Sequence, residues 1–497
     1  MIGRFVSGVG ERVSWVFRRT APDPFVLAVL LTLATLGLAV LLTDTSLHQA
    51  VRYWSGLASG PGRPEGANAG VWSLLAFSMQ MCLILVTGTA LASAPIVDRG
   101  LERLARLPRT CAQAAAMIAA VACVLAVVNW GLGLVAGAVL ARKVGVSMEA
   151  RGRAAHYPLL AAAGYLGLMV WHGGFSGSAP LSMTTEGGIR ASLGATSTAA
   201  PIPLSGTLLS PMNLVITGGL LVLCPLMAWL LSPRDASAMR QASAFGTGGA
   251  GGEKAGRGDS AESVDPADTV RLPSPEDRKP FLPRLLEDSP VVSVLLVAVI
   301  GWWAIDYYLP RQDGAIAWGQ SGLQNLSLNA VNLTMLMLGL LLHGTPMRYA
   351  RAIERGAVGC AGILLQFPLY AGIMAVMRES GMTALLATRI AEVASPTTLP
   401  VLAFLAAGVT NLFVPSGGGQ WSVQGPIMLE AGEAAGVSPG VMCMAVAYGD
   451  QLTNMLQPFW ALPLLGITGV KARDIVGYTS VVMAAGAVWI GVWLLVF

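Results

Sequence analysis

The run Ala112 to Ala141, AQAAAMIAAVACVLAVVNWGLGLVAGAVLA, is apolar over 30 residues. As one straight helix it would be roughly 45 Å long against a bilayer core of roughly 30 Å. That is too long for a single crossing, and Asn129-Trp130-Gly131 interrupts it. Arg99, Arg103, Arg106 and Arg109 precede the run, and Arg142, Lys143, Arg151 and Arg153 follow it. The positive-inside rule therefore puts both of its ends in the cytoplasm, and a re-entrant hairpin satisfies both facts. A second run, Leu399 to about Glu430, is broken at Val414-Pro415-Ser416-Gly417-Gly418-Gly419-Gln420 and has no basic residue at its far end; it should re-enter from outside. A single kinked helix in each place is the alternative.

Outward from these runs the whole chain has the same character. Of its 497 residues 54% are hydrophobic and 12% charged, and the mean hydropathy is +0.63, so its solvent is lipid. The net charge of +4 is spread as topology signals between apolar segments, which excludes a nucleic-acid partner. The six cysteines have no metal-ligand spacing and read as buried thiols; no cofactor is expected. Ile2, Phe5, Val9, Val13 and Val16 recur at helical spacing among arginines, which predicts an interfacial helix and a cytoplasmic N-terminus.

Membrane spans are expected at 24–42, 70–94, 157–175, 205–231, 289–309, 326–344, 357–377, 440–467 and 475–497. The fold class is an all-α polytopic membrane protein with about nine transmembrane helices, two re-entrant hairpins and broken helices. Segment 233–287 is rich in Gly, Ser, Pro and mixed charge and reads as a flexible cytoplasmic linker. It separates an N-terminal half, 1–232, from a C-terminal half, 288–497. The halves repeat: Gln80, Asn129, Tyr165 and Pro180 are spaced by 49, 36 and 15 residues, and Gln366, Asn411, Tyr448 and Pro463 by 45, 37 and 15. With one span between them the repeats have opposite orientation, the plan of secondary carriers whose sites lie between repeats.

Each hairpin is followed by a broken span, at His172-Gly173-Gly174-Phe175-Ser176-Gly177-Ser178 and at Asn454-Met455-Leu456-Gln457-Pro458. Non-helical backbone at membrane depth must be buried in protein or line a wet cavity. Asp450 is the one deep carboxylate, and no deep Lys or Arg answers an anionic substrate. Half-helix N-termini can replace that cation. Candidate substrate residues are Asn129, Trp130 and Gly131 at one tip, Ser176, Gly177 and Ser178 at its following break, and Asn411 with Ser416, Gly417, Gly418, Gly419 and Gln420 at the other. The glycines equally suit close helix packing. Candidate coupling-ion residues are Asp450, Asn454, Gln80, Gln366 and His172, although buried amides also simply satisfy broken backbone.

At these motifs the chain resembles the bacterial short-chain fatty acid transporter family, the AtoE-like proteins. The likeness runs through Pro22-Asp23-Pro24, Asn129-Trp130-Gly131, Gly173 to Leu181, Gln366-Phe367-Pro368, Val414 to Gln420, Gln424-Gly425-Pro426 and Ala447 to Pro463. It implies uptake of a small monocarboxylate such as butyrate or acetoacetate across a bacterial inner membrane, driven by a coupling cation, H+ or Na+. Homo-oligomers are compatible with it. The family carries Glu where this chain has Asp450 and Gly where His172 stands, departures that bear on coupling ion and acyl length.

Two rivals remain. A dicarboxylate carrier or cation antiporter of related fold would share this architecture. Gly174-Phe175-Ser176-Gly177 also spells the GxSG of intramembrane serine proteases, but a serine nucleophile needs a base within hydrogen-bond reach.

Overall fold

The computed structural model describes residues 24–56, 70–73, 75–184, 199–245, 280–312, 314–316, 321–322, 328–357, 360–382, 395–415 and 417–497, with 8, 12, 186, 189 and 385 as isolated positions. The helices of the first half are α1 (Pro24–Leu42), α2 (Leu47–Ser55), α3 (Leu75–Ala92), α4 (Pro95–Arg106), α5 (Cys111–Val128), α6 (Trp130–Ala150), α7 (Tyr157–Tyr165), α8 (Ser178–Ser182) and α9 (Pro211–Leu230). Helix α10 (Phe281–Glu287) closes segment 233–287, and those of the second half are α11 (Val291–Tyr308), α12 (Leu328–His343), α13 (Pro346–Ala357), α14 (Ala361–Glu379), α15 (Leu399–Phe413), α16 (Gly417–Ala434), α17 (Pro439–Thr453), α18 (Pro458–Thr468) and α19 (Ala472–Val496). A minimal antiparallel pair, β1 (Arg311–Gln312) and β2 (Ala315–Ile316), is the only sheet among the described residues. The predicted N-terminal interfacial helix lies outside them, apart from Gly8 and Arg12.

Among the described residues, seven helical stretches are long and apolar enough to cross a membrane. Their burial ranks them from periphery to centre. Only 11% of the apolar window in Phe281–Tyr308 is buried, against 89% in Tyr157–Ser182, so α11 faces outward and the broken segment is the innermost. Large side chains such as Leu295, Val299 and Trp302 are exposed on α11, as suits a surface solvated by lipid tails. The chain is an all-α polytopic membrane protein.

Asn129 turns the long apolar run back on itself. Its extended backbone ends α5, with its N–H on the Leu125 carbonyl, and its Oδ1 caps α6 by accepting from the Leu132 N–H at 3.1 Å. One residue therefore closes one helix and opens the next. At the far ends the Arg151 guanidinium donates to the carbonyls of Ala105, Arg106 and Pro108, and Arg153 donates to Pro108. The start of α5 and the end of α6 are thus pinned together, as a hairpin requires. In the second half α15 and α16 pack on one another, and bonds from Gln420 Nε2 to the Ala407 carbonyl and from Gln424 Nε2 to Thr410 Oγ1 cross between them.

Several expectations shift in detail. The span at 157–175 leaves α-helical geometry at Leu166, where 3-10 turns take over through Gly173. Close approach explains this: a Cβ on Gly167 would lie 2.8 Å from the Ala122 carbonyl oxygen, and one on Gly164 2.6 Å from that of Gly137. The 205–231 span starts as a helix only at Pro211, where Ser210 caps the Asn213 N–H. Span 440–467 is two helices joined by a 3-10 turn at Asn454–Leu456. Amphipathic helices α2, α4 and α13 join the spans. The first part of segment 233–287 is docked rather than loose, for Arg240 bonds Asp474 at 2.7 Å and its carbonyl accepts from Tyr157 N–H at 2.9 Å. Residues 246–279 lie outside the described residues.

Candidate functional site

The two glycine-rich breaks touch. A Cβ built on Gly417, at the start of α16, would lie 2.7 Å from His172 Cε1, 2.9 Å from Ser178 Oγ and 2.9 Å from the Trp171 ring. On Gly418 it would lie 3.7 Å from Ser178 Cβ. Only residues without side chains let the tip of the second hairpin rest on the first-half break. Ser416 lies outside the described residues.

Each half satisfies the broken backbone of the other. Gln451 Oε1 accepts from the N–H groups of His172 and Gly173 at 3.1 and 3.3 Å. Tyr165 OH donates to the carbonyls of Asn454 and Gln457 at 2.7 and 3.1 Å. Tyr448 OH donates to Asn213 Oδ1 at 2.9 Å, and Asn213 Nδ2 in turn holds the Gly173 carbonyl at 2.9 Å. Tyr165 and Tyr448, matched positions of the sequence repeat, thus cross over reciprocally. Within the first half the Phe175 N–H reaches the Val127 carbonyl at 2.7 Å, and the Trp130 N–H reaches Ser176 Oγ at 3.0 Å. A buried polar group left without such a partner costs about 1–3 kcal/mol, so these bonds hold the unwound segments in place.

His172 and Asp450, 278 positions apart, form a buried pair with Nδ1 of the ring 2.8 Å from Oδ2 of the carboxylate. The Ala179 N–H donates to His172 Nε2 at 3.1 Å. A ring nitrogen that accepts a hydrogen bond carries a lone pair, so in the neutral ring the proton sits on Nδ1 and is donated to Asp450. The ring also stacks on Trp171 at 4.2 Å. Both of its nitrogens are engaged away from Ser176. Asp450 Oδ1 has no hydrogen-bond partner among the described residues.

Asn411 binds the second break. Its Nδ2 faces the Asp450 carbonyl at 2.7 Å, Asn454 Oδ1 at 2.8 Å and Thr453 Oγ1 at 3.0 Å, three acceptors for two N–H bonds. Gln457 Nε2 donates to the Asn411 carbonyl. Gln420 is buried and bonds Gln424 and Ala407. Gly177 sits against the His172 carbonyl, and Gly131 against Ile84. Trp130 lies 5.0 Å from Trp460 and 6.4 Å from Trp171, and Trp171 lies 6.2 Å from Trp460. These three indoles make an apolar wall beside the first hairpin tip.

One expected member, Gln80, faces another helix. Gln80 donates to Asn329 Oδ1 at 2.7 Å and its carbonyl accepts from Asn332, both on α12. Gln366 is buried on α14, and Gly362, one turn away, packs against Leu462 of α18. Asn213 was missed: a lone asparagine near the start of an apolar helix has no signal beyond its polarity. Among the described residues no Lys or Arg is buried, and buried Trp171 and Trp421 each carry an Nε1–H without a hydrogen-bond partner.

Comparison with known proteins gives likenesses of three kinds. A family model described as short chain fatty acid transporter matches residues 5–497. A protein of Escherichia coli K12, provisionally named a short-chain fatty acid transporter, is 38% identical over 483 residues, 96% of each chain. A Haemophilus influenzae Rd protein of the same name is 35% identical over 499 residues, 99% of this chain and 100% of the relative. Among solved structures, the YdaH transporter of Alcanivorax borkumensis is similar at 18% identity and a TM-score of 0.43, covering 95% of this chain and 98% of its own. MtrF of Neisseria gonorrhoeae is similar at 17% and 0.38, covering 97% of each.

Proposed function

The chain belongs to the short-chain fatty acid transporter family, and on that premise we propose that it is a secondary carrier taking up short monocarboxylates such as butyrate or acetoacetate through a bacterial inner membrane. The observation that carries this reading is the contact of Gly417 with His172, Ser178 and Trp171. Two unwound segments, one from each half, meet where an inverted-repeat carrier holds its substrate. At the start of α16 the N–H groups of Gly417 and Gly418 have no intrahelical acceptor, and the helix end carries roughly +0.5 of a charge. With no buried Lys or Arg among the described residues, this helix end and the indole N–H groups of Trp171 and Trp421 are the donors for a carboxylate. The indole wall of Trp130, Trp171 and Trp460 suits a short acyl chain. A cation gradient, of H+ or Na+, acts through Asp450.

The test is counterflow in liposomes holding the purified protein. Vesicles loaded with unlabelled acetoacetate should transiently concentrate labelled acetoacetate, and external butyrate should compete. Counterflow of dicarboxylates but not of monocarboxylates would overturn the substrate class.

The same reading makes both hairpins re-entrant and the halves inverted repeats. Single cysteines at Arg109 and Arg142, in a protein with its native cysteines replaced, should both be labelled only from the cytoplasmic side, and one at Glu433 from outside. Opposite sides for Arg109 and Arg142 would remove the first hairpin.

A further inference from the structure

We propose that one proton enters with each monocarboxylate and that it is carried on Asp450 Oδ1, with His172 as the positioning residue that holds Oδ2. The proposal rests on the monocarboxylate-carrier reading above and goes on to name the coupling ion and its atom.

The charge balance of the site leads there. The pair, with a neutral ring donating Nδ1–H to a carboxylate, carries one negative charge at a buried position. A substrate carboxylate arriving between the breaks adds a second. Buried like charges disfavour ionisation of both, and no buried Lys or Arg among the described residues offsets them. One proton does.

Geometry restricts where that proton goes. His172 Nε2 points at the Ala179 N–H, so a proton there would set two donors face to face. Nδ1 already holds a proton, and Asp450 Oδ2 accepts it. Oδ1, without a partner among the described residues, is the lone pair that remains. A proton taken from water on the outer side turns the carboxylate into the acid, and its release to the cytoplasm restores the carboxylate.

Other titratable groups on the elements around the pair are occupied or distant. Tyr165 and Tyr448 spend their hydroxyls on Asn454 with Gln457 and on Asn213. Tyr478 pairs with His156, and Asp474 with Arg240. Cys111 accepts from the His156 N–H, and Cys123 donates to the Leu166 carbonyl. Cys224 and Cys443 are buried thiols, and Glu430 and Glu433 are exposed toward the far end of α16. Because His172 also abuts Gly417, the pair lies against the contact between the halves, and proton occupancy is coupled to that contact.

The experiment uses the full chain in liposomes and initial rates of labelled acetoacetate entry, corrected with protein-free vesicles. An outside-acid gradient without sodium should drive accumulation, and a sodium gradient at equal pH should not. Asp450→Asn should keep counterflow while losing accumulation. His172→Ala should change the pH dependence of entry, because the carboxylate loses its donor. His172→Asn, whose Nδ2 can stand in for Nδ1, should stay near the parent. Sodium-driven accumulation by the parent, or full accumulation by Asp450→Asn, overturns the proton assignment alone. An unmoved pH profile in His172→Ala overturns the positioning role, and a parent without counterflow overturns the carrier reading beneath both.

Discussion

Gly417→Ala is expected to lower acetoacetate exchange at least about fivefold. The added methyl would sit 2.7 Å from His172 Cε1, 2.9 Å from the Trp171 ring and 2.9 Å from Ser178 Oγ. Ser178 can rotate away, whereas His172 is held by Asp450 and Ala179 and stacked on Trp171. Overpacking of this kind costs about 1–3 kcal/mol, and each 1.4 kcal/mol is about tenfold in the population of this arrangement. Alanine favours helix over glycine, so a loss at the first residue of α16 is attributable to the contact between the halves. The control is Gly418→Ala, whose methyl would meet Ser178 Cβ at 3.7 Å, ordinary contact. Thermal unfolding in detergent should fall for Gly417→Ala and stay unchanged for Gly418→Ala. Equal behaviour of the two would show that the hairpin tip is free to move off the first-half break.

The fold was legible where hydrophobic length and interruption carry the signal. Pro24–Leu42 has the boundaries expected of it, and Asn129 sits at the turn of the first hairpin. Each of the two arms that meet there, Cys111–Val128 and Trp130–Ala150, is by itself long and apolar enough to cross a membrane. The 3-10 course from Leu166 to Gly173 was not legible, because close packing of Gly164 and Gly167 against α5 and α6 imposes it from outside the segment. Helix α2 could have been read from Ser46 and Gln49, which form a capping box; a short polar helix between spans gives no hydropathy signal.

For the candidate site the sequence supplied residues but not partners. His172 stood as a lone histidine and Asp450 as a lone carboxylate. Their pairing is a product of the reciprocal packing of the halves and leaves no local trace. Gln80 shows the opposite failure: its match to Gln366 in the repeat gave a residue type, while the direction it faces is set by Asn329 and Asn332 of α12. Asn411, read from the sequence as a substrate residue at the second hairpin tip, is bonded to the two coupling-ion candidates Asp450 and Asn454.

The larger effect is expected from a covalent link between the breaks. A Cβ at Gly418 would lie 3.7 Å from Ser178 Cβ, within the span of roughly 3.5–4.5 Å between the Cβ atoms of a disulfide. Ser178→Cys combined with Gly418→Cys, in a protein with its six native cysteines replaced, should therefore close under mild oxidation. Closure fixes the tip of one half to the break of the other, so exchange should stop and return on reduction. Acetoacetate bound between the breaks should slow closure. Cross-link yield and acetoacetate exchange, measured on the same vesicles with and without substrate, test most directly that the substrate is held where the breaks meet. The expected result is rapid closure, slowed by acetoacetate, with reversible loss of exchange; absence of the link, or exchange at the parent rate in the linked protein, would contradict it.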